Sequence, residues 1–232
     1  MTKLPLLLLH GALGSRATWA ALVPLLEARF AVHCLEFAGH GATPLRRAGF
    51  SMAGFVAEVQ TYLAAQGIAQ AGLFGYSMGG YVACELARTD PARVAGIVTL
   101  GTKFYWDAET VAREGGRLDP PKIAAKVPHF AQALAARHSA IGWEAVLGHT
   151  RDLLRELGAT GGLRPADLAG LACRVRIMQG DRDPTVPLAE SAEVAHALPH
   201  GELEVLPATP HEFERVAPAR LAATLTDFFA AF

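Results

Sequence analysis

The pentapeptide Gly75-Tyr76-Ser77-Met78-Gly79, with Gly80 directly after it, carries the clearest chemical signal in the chain. It fits the pattern G-x-S-x-G, in which a serine sits on a sharp turn from a strand into a helix. Side chains two residues either side of such a turn would collide, and glycine removes the collision. The turn exposes Ser77 Oγ at a helix N-terminus, where the dipole favours an oxyanion. A serine hydroxyl is a weak nucleophile alone; it needs a base, and the base needs an orienting acid. For a serine on this kind of turn, the acid and then the histidine follow later in the chain. Nine histidines are present, of which only His196, His200 and His211 follow the expected strand Arg174–Gln179. His196 falls within a helical pattern and His200 precedes the last strand, which leaves His211, in Leu206-Pro207-Ala208-Thr209-Pro210-His211. The acid must follow the strand Arg174–Gln179, so it is Asp181 or Asp183. Asp183 is favoured because Thr185-Val186-Pro187 then leads into the next helix; Asp181 stays open as the alternative or as a turn former. Only a neutral His211 accepts the Ser77 proton, so activity is expected to fall in acid.

A tetrahedral intermediate also needs backbone donors aimed at its oxyanion. The Met78 amide, just after the nucleophile, is one expected donor. The second is the Ala12 amide in the loop His10-Gly11-Ala12-Leu13-Gly14-Ser15, where Gly11 lets the backbone come close. His10 is read chiefly as a brace for that loop. Candidate substrate-binding residues are His10 and Leu13 there, together with Lys103 and the aromatic run Phe104-Tyr105-Trp106. Lys103, with Arg113, Arg117 and Lys126, would make a pocket that favours anionic substrates.

The elements that must position these groups follow from periodicity. Short runs rich in Val, Ile and Leu alternate with helical patterns, the mark of a parallel sheet covered on both faces. The expected strands are Leu6–Leu9, Ala31–Phe37, Ala71–Phe74, Val94–Leu100, Arg174–Gln179 and Glu202–Leu206. The expected helices are Arg16–Arg29 with Trp19, Leu22, Leu25 and Leu26 on one stripe, a helix capped by Ser51, Tyr81–Arg88, Leu188–Ala197 and Ala219–Phe232. From Thr102 to about Pro165 no strand is expected. Helical stretches Lys122–His138 and Trp143–Leu157 are broken by Gly115-Gly116, Asp119-Pro120-Pro121 and Gly161-Gly162, which is too long for a plain crossover. The reading is one domain over 1–232, with a core of 1–102 and 166–232 and a helical lid over about 103–165.

Composition narrows the function classes. Of 232 residues, 51% are hydrophobic and the net charge is −1, without a basic tract, so neither nucleic acid nor an acidic membrane is an expected partner. The expected partner is a small-molecule substrate. Cys34, Cys84 and Cys173 lie far apart and are expected as buried, reduced thiols. Met1-Thr2-Lys3 before Leu4 to Leu9 has too short an apolar run and no cleavage site for a signal peptide, and no stretch approaches a membrane span. A cytoplasmic protein is expected. The histidines form no HxxxH or HxH pair, so no metal is implied, and no cofactor.

Taken together, His10-Gly11 followed by Trp19, Gly39-His40-Gly41, the turn around Ser77, Gly180…Asp183…Val186-Pro187, and His211 with Pro218 resemble the α/β-hydrolase superfamily. They resemble its small cofactor-free branch of carboxylesterases, meta-cleavage-product hydrolases and MenH-like enzymes. The resemblance spans nearly the whole chain except the lid. It implies an α/β-hydrolase fold with a mostly parallel sheet; the strand runs above give about six strands, and the one or two antiparallel strands that usually come first are not expected. The family usually has Asp where Glu36 stands, and often Ser where Ala42-Thr43 follows Gly-His-Gly. The expected function is carboxylic ester hydrolysis through an acyl-enzyme on Ser77. The alternatives are C–C bond hydrolysis or MenH-like elimination on an anionic substrate, and a ligand-binding protein with little turnover.

Overall fold

The computed structural model describes residues 3–47 and 49–232; Met1 and Thr2, which entered the signal-peptide reading, lie outside the described residues, as does Ala48. In chain order the elements are β1 (Leu4–Leu9), a 3₁₀ turn (Arg16–Trp19), α1 (Val23–Leu26), β2 (Phe30–Leu35), α2 (Met52–Ala65), β3 (Ala71–Tyr76), α3 (Met78–Thr89) and β4 (Val94–Leu100). They continue with α4 (Ala108–Arg117), α5 (Pro120–Lys126), α6 (Pro128–Arg137), α7 (Trp143–Thr160), α8 (Pro165–Leu168), β5 (Arg174–Gly180), α9 (Leu188–Ala197), β6 (Gly201–Leu206) and α10 (Pro218–Phe228). The six strands form one sheet in the order β2-β1-β3-β4-β5-β6, every pair parallel. This is the α/β-hydrolase architecture.

A strand covered on both faces must be apolar at every position, because successive side chains point to opposite sides. In β1, Leu7 and Leu9 join the cluster formed with Phe55, Val59, Val82 and Leu86 of α2 and α3. Leu6 and Leu8 join the opposite cluster, with Trp19, Leu22, Leu26 and Leu221, Leu225 and Phe228 of α10. Strand order reverses between β1 and β3. The loops leaving their C-terminal ends diverge there and open a crevice, the usual ligand position in such sheets. The loop after β1 and the turn at Ser77 flank that crevice.

Several expected boundaries move, each for a local reason. The Arg16–Arg29 helix resolves into a 3₁₀ turn and the single turn α1, with Trp19, Leu22 and Leu26 buried but Leu25 exposed. β2 ends at Leu35, before the expected Phe37. Beyond it the Glu36 carboxylate turns back to accept from the amides of Arg16 and Ala42 and from Thr43 Oγ1, each at 3.1–3.2 Å. The acid one methylene longer than the family's Asp thus staples the Gly39-His40-Gly41 loop. Ser51 caps α2 as expected, accepting from Gly54 N at 3.1 Å. α3 begins at Met78, three residues before the expected Tyr81.

Between β4 and β5 lie α4 to α8 and no strand of the sheet. Lys122–His138 is two helices, since Pro128 has no N–H to continue α5 and restricts Val127 before it. Gly115-Gly116 lies inside α4 instead of ending a helix. Asp107 caps α4 by accepting from Thr110 N at 2.7 Å, which offsets the glycines' poor propensity. Among the described residues no helix is long and apolar enough to cross a membrane.

Candidate active site

Ser77 joins β3 to α3 with φ 52° and ψ −116°, a left-handed backbone that costs a non-glycine residue about 1–3 kcal/mol. The surroundings enforce it. A Cβ on Gly75 would lie 2.3 Å from Gly80 N, and one on Gly79 would lie 2.0 Å from the Leu9 carbonyl oxygen. Two glycines therefore let α3 press directly onto β3 and β1. Ser77 N donates to the Leu100 carbonyl at 2.8 Å and Thr102 Oγ1 donates to the Ser77 carbonyl at 3.1 Å, fixing the turn from both sides. Ser77 Oγ is left at the N-terminus of the twelve-residue α3.

His211 stands on the loop after β6, which contains Ala208 at φ 53°, the other non-glycine residue in the left-handed region among the described residues. Its Nε2 lies 3.3 Å from Ser77 Oγ and its Nδ1 lies 2.7 Å from Asp183 Oδ2. A carboxylate only accepts, so Nδ1 carries the ring proton and Nε2 faces the serine as an acceptor. Asp183 Oδ2 also accepts from Gln179 Nε2 at 3.0 Å, while Oδ1 accepts from the amides of Thr185 and Val186 at 2.8 and 2.9 Å. Burial pushes this carboxyl up, but the hydrogen bond and charge of His211 and those two amides outweigh it, leaving its pKa below the usual carboxylate value. Of the two acids left open by the sequence, Asp183 is the one beside His211. Asp181 instead accepts from Thr209 N at 3.3 Å and so ties down the turn that carries the histidine.

The loop after β1 is held peptide by peptide. His10 is fully buried. Phe37 N donates to its Nε2 at 3.1 Å, so its Nδ1–H faces the Gly11 carbonyl at 2.8 Å. The Gly11 carbonyl and the Ala12 N–H belong to one trans peptide unit and point in opposite directions. Anchoring the first therefore aims the second away from His10. His40 Nε2 meets the Ala12 carbonyl at 2.6 Å, and burial, aided by His138, lowers the His40 pKa to about 4. His10 thus ties the loop after β1 to Phe37 and is not on the cavity wall.

Ser77, His211, Ala12 and Met78 all line one cavity of about 650 Å³. Its other walls are largely apolar and come from the helices after β4, among them Leu118, Ile123, Phe130, Leu153 and Leu157. Of the candidate substrate-binding residues, Leu13, Lys103 and Trp106 line it. Phe104 is fully buried in the core, and Tyr105 turns its hydroxyl to Glu193 at 2.9 Å. The expected cationic pocket is largely neutralised. Lys103 is buried in an ion pair with Glu190 at 2.5 Å, and Arg113 and Arg117 both pair with Glu114. Lys126 is not on the wall. A second hollow of about 530 Å³ lies where β4, β5 and β6 begin, at the strand ends away from Ser77, beside Cys173, whose thiol burial pushes up to about 11, away from nucleophilic form. Among the described residues no three His, Cys, Asp or Glu side chains cluster to hold a metal.

Some residues at the site gave no signal in the sequence. Tyr76 donates its hydroxyl to the His211 carbonyl at 3.0 Å, Gln179 supports Asp183, and Arg137 and His138 reach the loop after β1. Tyr76 and Gln179 flank motifs that were recognised, but nothing in their spacing marks them as partners of residues far along the chain.

A family model described as alpha/beta hydrolase fold matches residues 5–140. A pimeloyl-[acyl-carrier protein] methyl ester esterase of Aeromonas hydrophila is 32% identical over 199 residues, which is 79% of this chain and 72% of that protein. Among solved structures, a meta-cleavage product hydrolase from Pseudomonas fluorescens superposes with a TM-score of 0.82 at 20% identity, covering 99% of this chain and 92% of that one. A carboxylesterase from Nitrososphaera gargenis gives 0.79 at 19% identity, covering 99% and 90%. The last two likenesses bear on the fold alone. By its matching family model, its esterase relative and its sheet, the chain is a hydrolase of the α/β-hydrolase family.

Proposed function

We propose that this hydrolase cleaves carboxylic esters of small molecules through an acyl-enzyme on Ser77. The observation that carries the reading is the continuous Ser77–His211–Asp183 hydrogen-bond chain, at 3.3 and 2.7 Å, opening on a mainly apolar cavity. His211 takes the Ser77 proton as Oγ attacks the acyl carbon, and Asp183 stabilises the resulting imidazolium. The oxyanion is met by the Ala12 and Met78 amides. His211 then gives the proton to the departing alkoxide. Water, deprotonated by the same base, clears the acyl group and restores Ser77. No step requires a metal or cofactor.

In this reading residues 1–102 and 166–232 form the core, and the helices between them are a lid that shields the acyl-enzyme and sizes the acyl group. The esterase activity of the Aeromonas relative supports it. The free thiols Cys34, Cys84 and Cys173 fit a reducing, cytoplasmic setting. One observation favours a second reading, C–C hydrolysis or elimination on an anionic substrate. Arg137 lines the cavity, and no carboxylate pairs with it among the described residues. Hydrolysis of p-nitrophenyl esters of increasing acyl length by wild type and Ser77→Ala separates the two. Turnover abolished by the substitution supports the esterase, whereas an inert wild type rejects it in favour of the second reading.

A further inference from the structure

We infer that His138, assisted by Arg137, is a positioning residue through which the helical insertion sets the oxyanion donor of Ala12. The inference rests on the esterase reading and extends it.

Three successive carbonyls of the loop after β1 are each held by a side chain. Gly11 is held by His10, and Ala12 by His40, both from the core. Among the described residues the third carbonyl, Leu13, is held only from the insertion. Arg137 Nη1 donates to it at 2.6 Å and His138 Nε2 lies 3.2 Å from it. His138 directly follows α6, is buried, and reaches the core twice, because Gly41 N donates to its Nδ1 at 3.1 Å. That bond leaves the ring proton on Nε2, the nitrogen facing Leu13. Ala140 N adds a bond to the Gly41 carbonyl at 3.2 Å.

One imidazole thus spans the loop after β1 and the Gly39-His40-Gly41 loop, which are joined to each other through His40 and Ala12. The Leu13–Gly14 peptide is held at its N–H by the Gly11 carbonyl at 2.9 Å and, among the described residues, at its carbonyl by Arg137 and His138 alone, and Leu13 adjoins the residue whose N–H must meet the oxyanion. An oxyanion interaction is made in the transition state and not in the ground state, so loosening it lowers kcat and spares KM. Complete loss of one donor typically costs about 10²–10³-fold. Loosening through a neighbouring peptide is expected to cost roughly ten- to a hundredfold by the same principle.

The test compares wild type, His138→Leu, His138→Gln and Arg137→Met on the best p-nitrophenyl ester, with an alkyl trifluoromethyl ketone as a second probe. Ser77 adds to the ketone carbon and the former carbonyl oxygen becomes the oxyanion, so its Ki reads the same donors. The expected result is a kcat roughly ten- to a hundredfold lower for His138→Leu, with KM within about threefold and Ki raised in parallel with the loss in kcat. His138→Gln, whose amide can still donate to Leu13, is expected to keep more activity than His138→Leu, and Arg137→Met to show a smaller loss with the same KM–kcat split. Arg137→Met keeps the test decisive if His138→Leu fails to fold. Losses shared equally between kcat and KM, or an unchanged Ki, overturn the inference while leaving the esterase reading intact. A wild type that hydrolyses none of the esters overturns both.

Discussion

Replacing Asp183 by Asn keeps shape and volume but should leave His211 in the wrong tautomer. In the wild type Oδ1 accepts from two backbone amides, Thr185 and Val186, which cannot turn away. The single oxygen of the introduced carboxamide must stay with them, so its NH₂ takes the place of Oδ2. There it faces His211 Nδ1 and the Gln179 amide NH₂. Gln179 cannot readily flip to accept, because its Nε2 also donates to the Gly180 and Val186 carbonyls and its Oε1 accepts from Ser191. His211 Nδ1 must then accept, its proton moves to Nε2, and Nε2 no longer takes the Ser77 proton. The corresponding exchange in a serine protease lowers kcat by about 10⁴-fold, about 5.4 kcal/mol of transition-state stabilisation. A loss of that order in kcat for a p-nitrophenyl ester, at nearly unchanged melting temperature, is the expected outcome. Asp181→Asn should stay within about threefold of wild type, since Asp181 makes one long bond to Thr209 N at 3.3 Å. An Asp183→Asn enzyme within tenfold of wild type would refute the tautomer argument and reopen the choice of acid.

Three further outcomes follow from the packing and charge of the site. His40 is neutral when folded, with a pKa near 4, but has its ordinary value near 6.5 when unfolded, so the unfolded chain binds more protons between these values. Stability is therefore full above about pH 6.5 and should fall by about 3 kcal/mol from this group alone as pH drops to 4, with buried His10 and His138 shifted the same way; urea unfolding at stepped pH checks it, and a flat profile contradicts it. Gly79→Ala drives a Cβ to 2.0 Å from the Leu9 carbonyl and should cost about 3 kcal/mol or more, whereas Gly148→Ala in α7, where a Cβ meets nothing within 4 Å, should raise stability by up to about 1 kcal/mol; melting curves that rank the two equally would discredit the steric reading of the turn. Lys103→Met leaves Glu190 buried without its cation and should destabilise by about 3–5 kcal/mol. Full stability together with weakened substrate binding would instead return Lys103 to a substrate-binding role.

The parts of this molecule that could be read from sequence are those set by local rules. Buried parallel strands must be apolar throughout, so β4 and its neighbours stand out as Val, Ile and Leu runs. The turn at Ser77 requires glycines at fixed offsets, and Ser51 announces α2 by its capping chemistry. What stayed hidden depends on contacts far apart in the chain. Glu190 finds Lys103 across 87 positions, and that ion pair removes a cation which the sequence alone offers to the substrate. Asp181 and Asp183 differ only in which way a tight turn aims them, and the turn is fixed by Gln179, Thr185 and Val186 acting together. His138, one of nine histidines, has neighbours in sequence that say nothing of Gly41 or Leu13, yet both bonds are set once α6 ends beside them. Glu36 shows the same limit: it departs from the family's usual residue, and only the folded loop shows that its longer side chain reaches three donors.

The most direct measurement is the intact mass and peptide map of the protein after reaction with a small organophosphate ester that phosphorylates activated serines. One adduct per chain on the peptide containing Ser77, slowed by orders of magnitude in Asp183→Asn and His211→Ala and absent in Ser77→Ala, is the expected result. A chain that takes up no adduct, or carries it on another residue, would contradict Ser77 as the activated nucleophile.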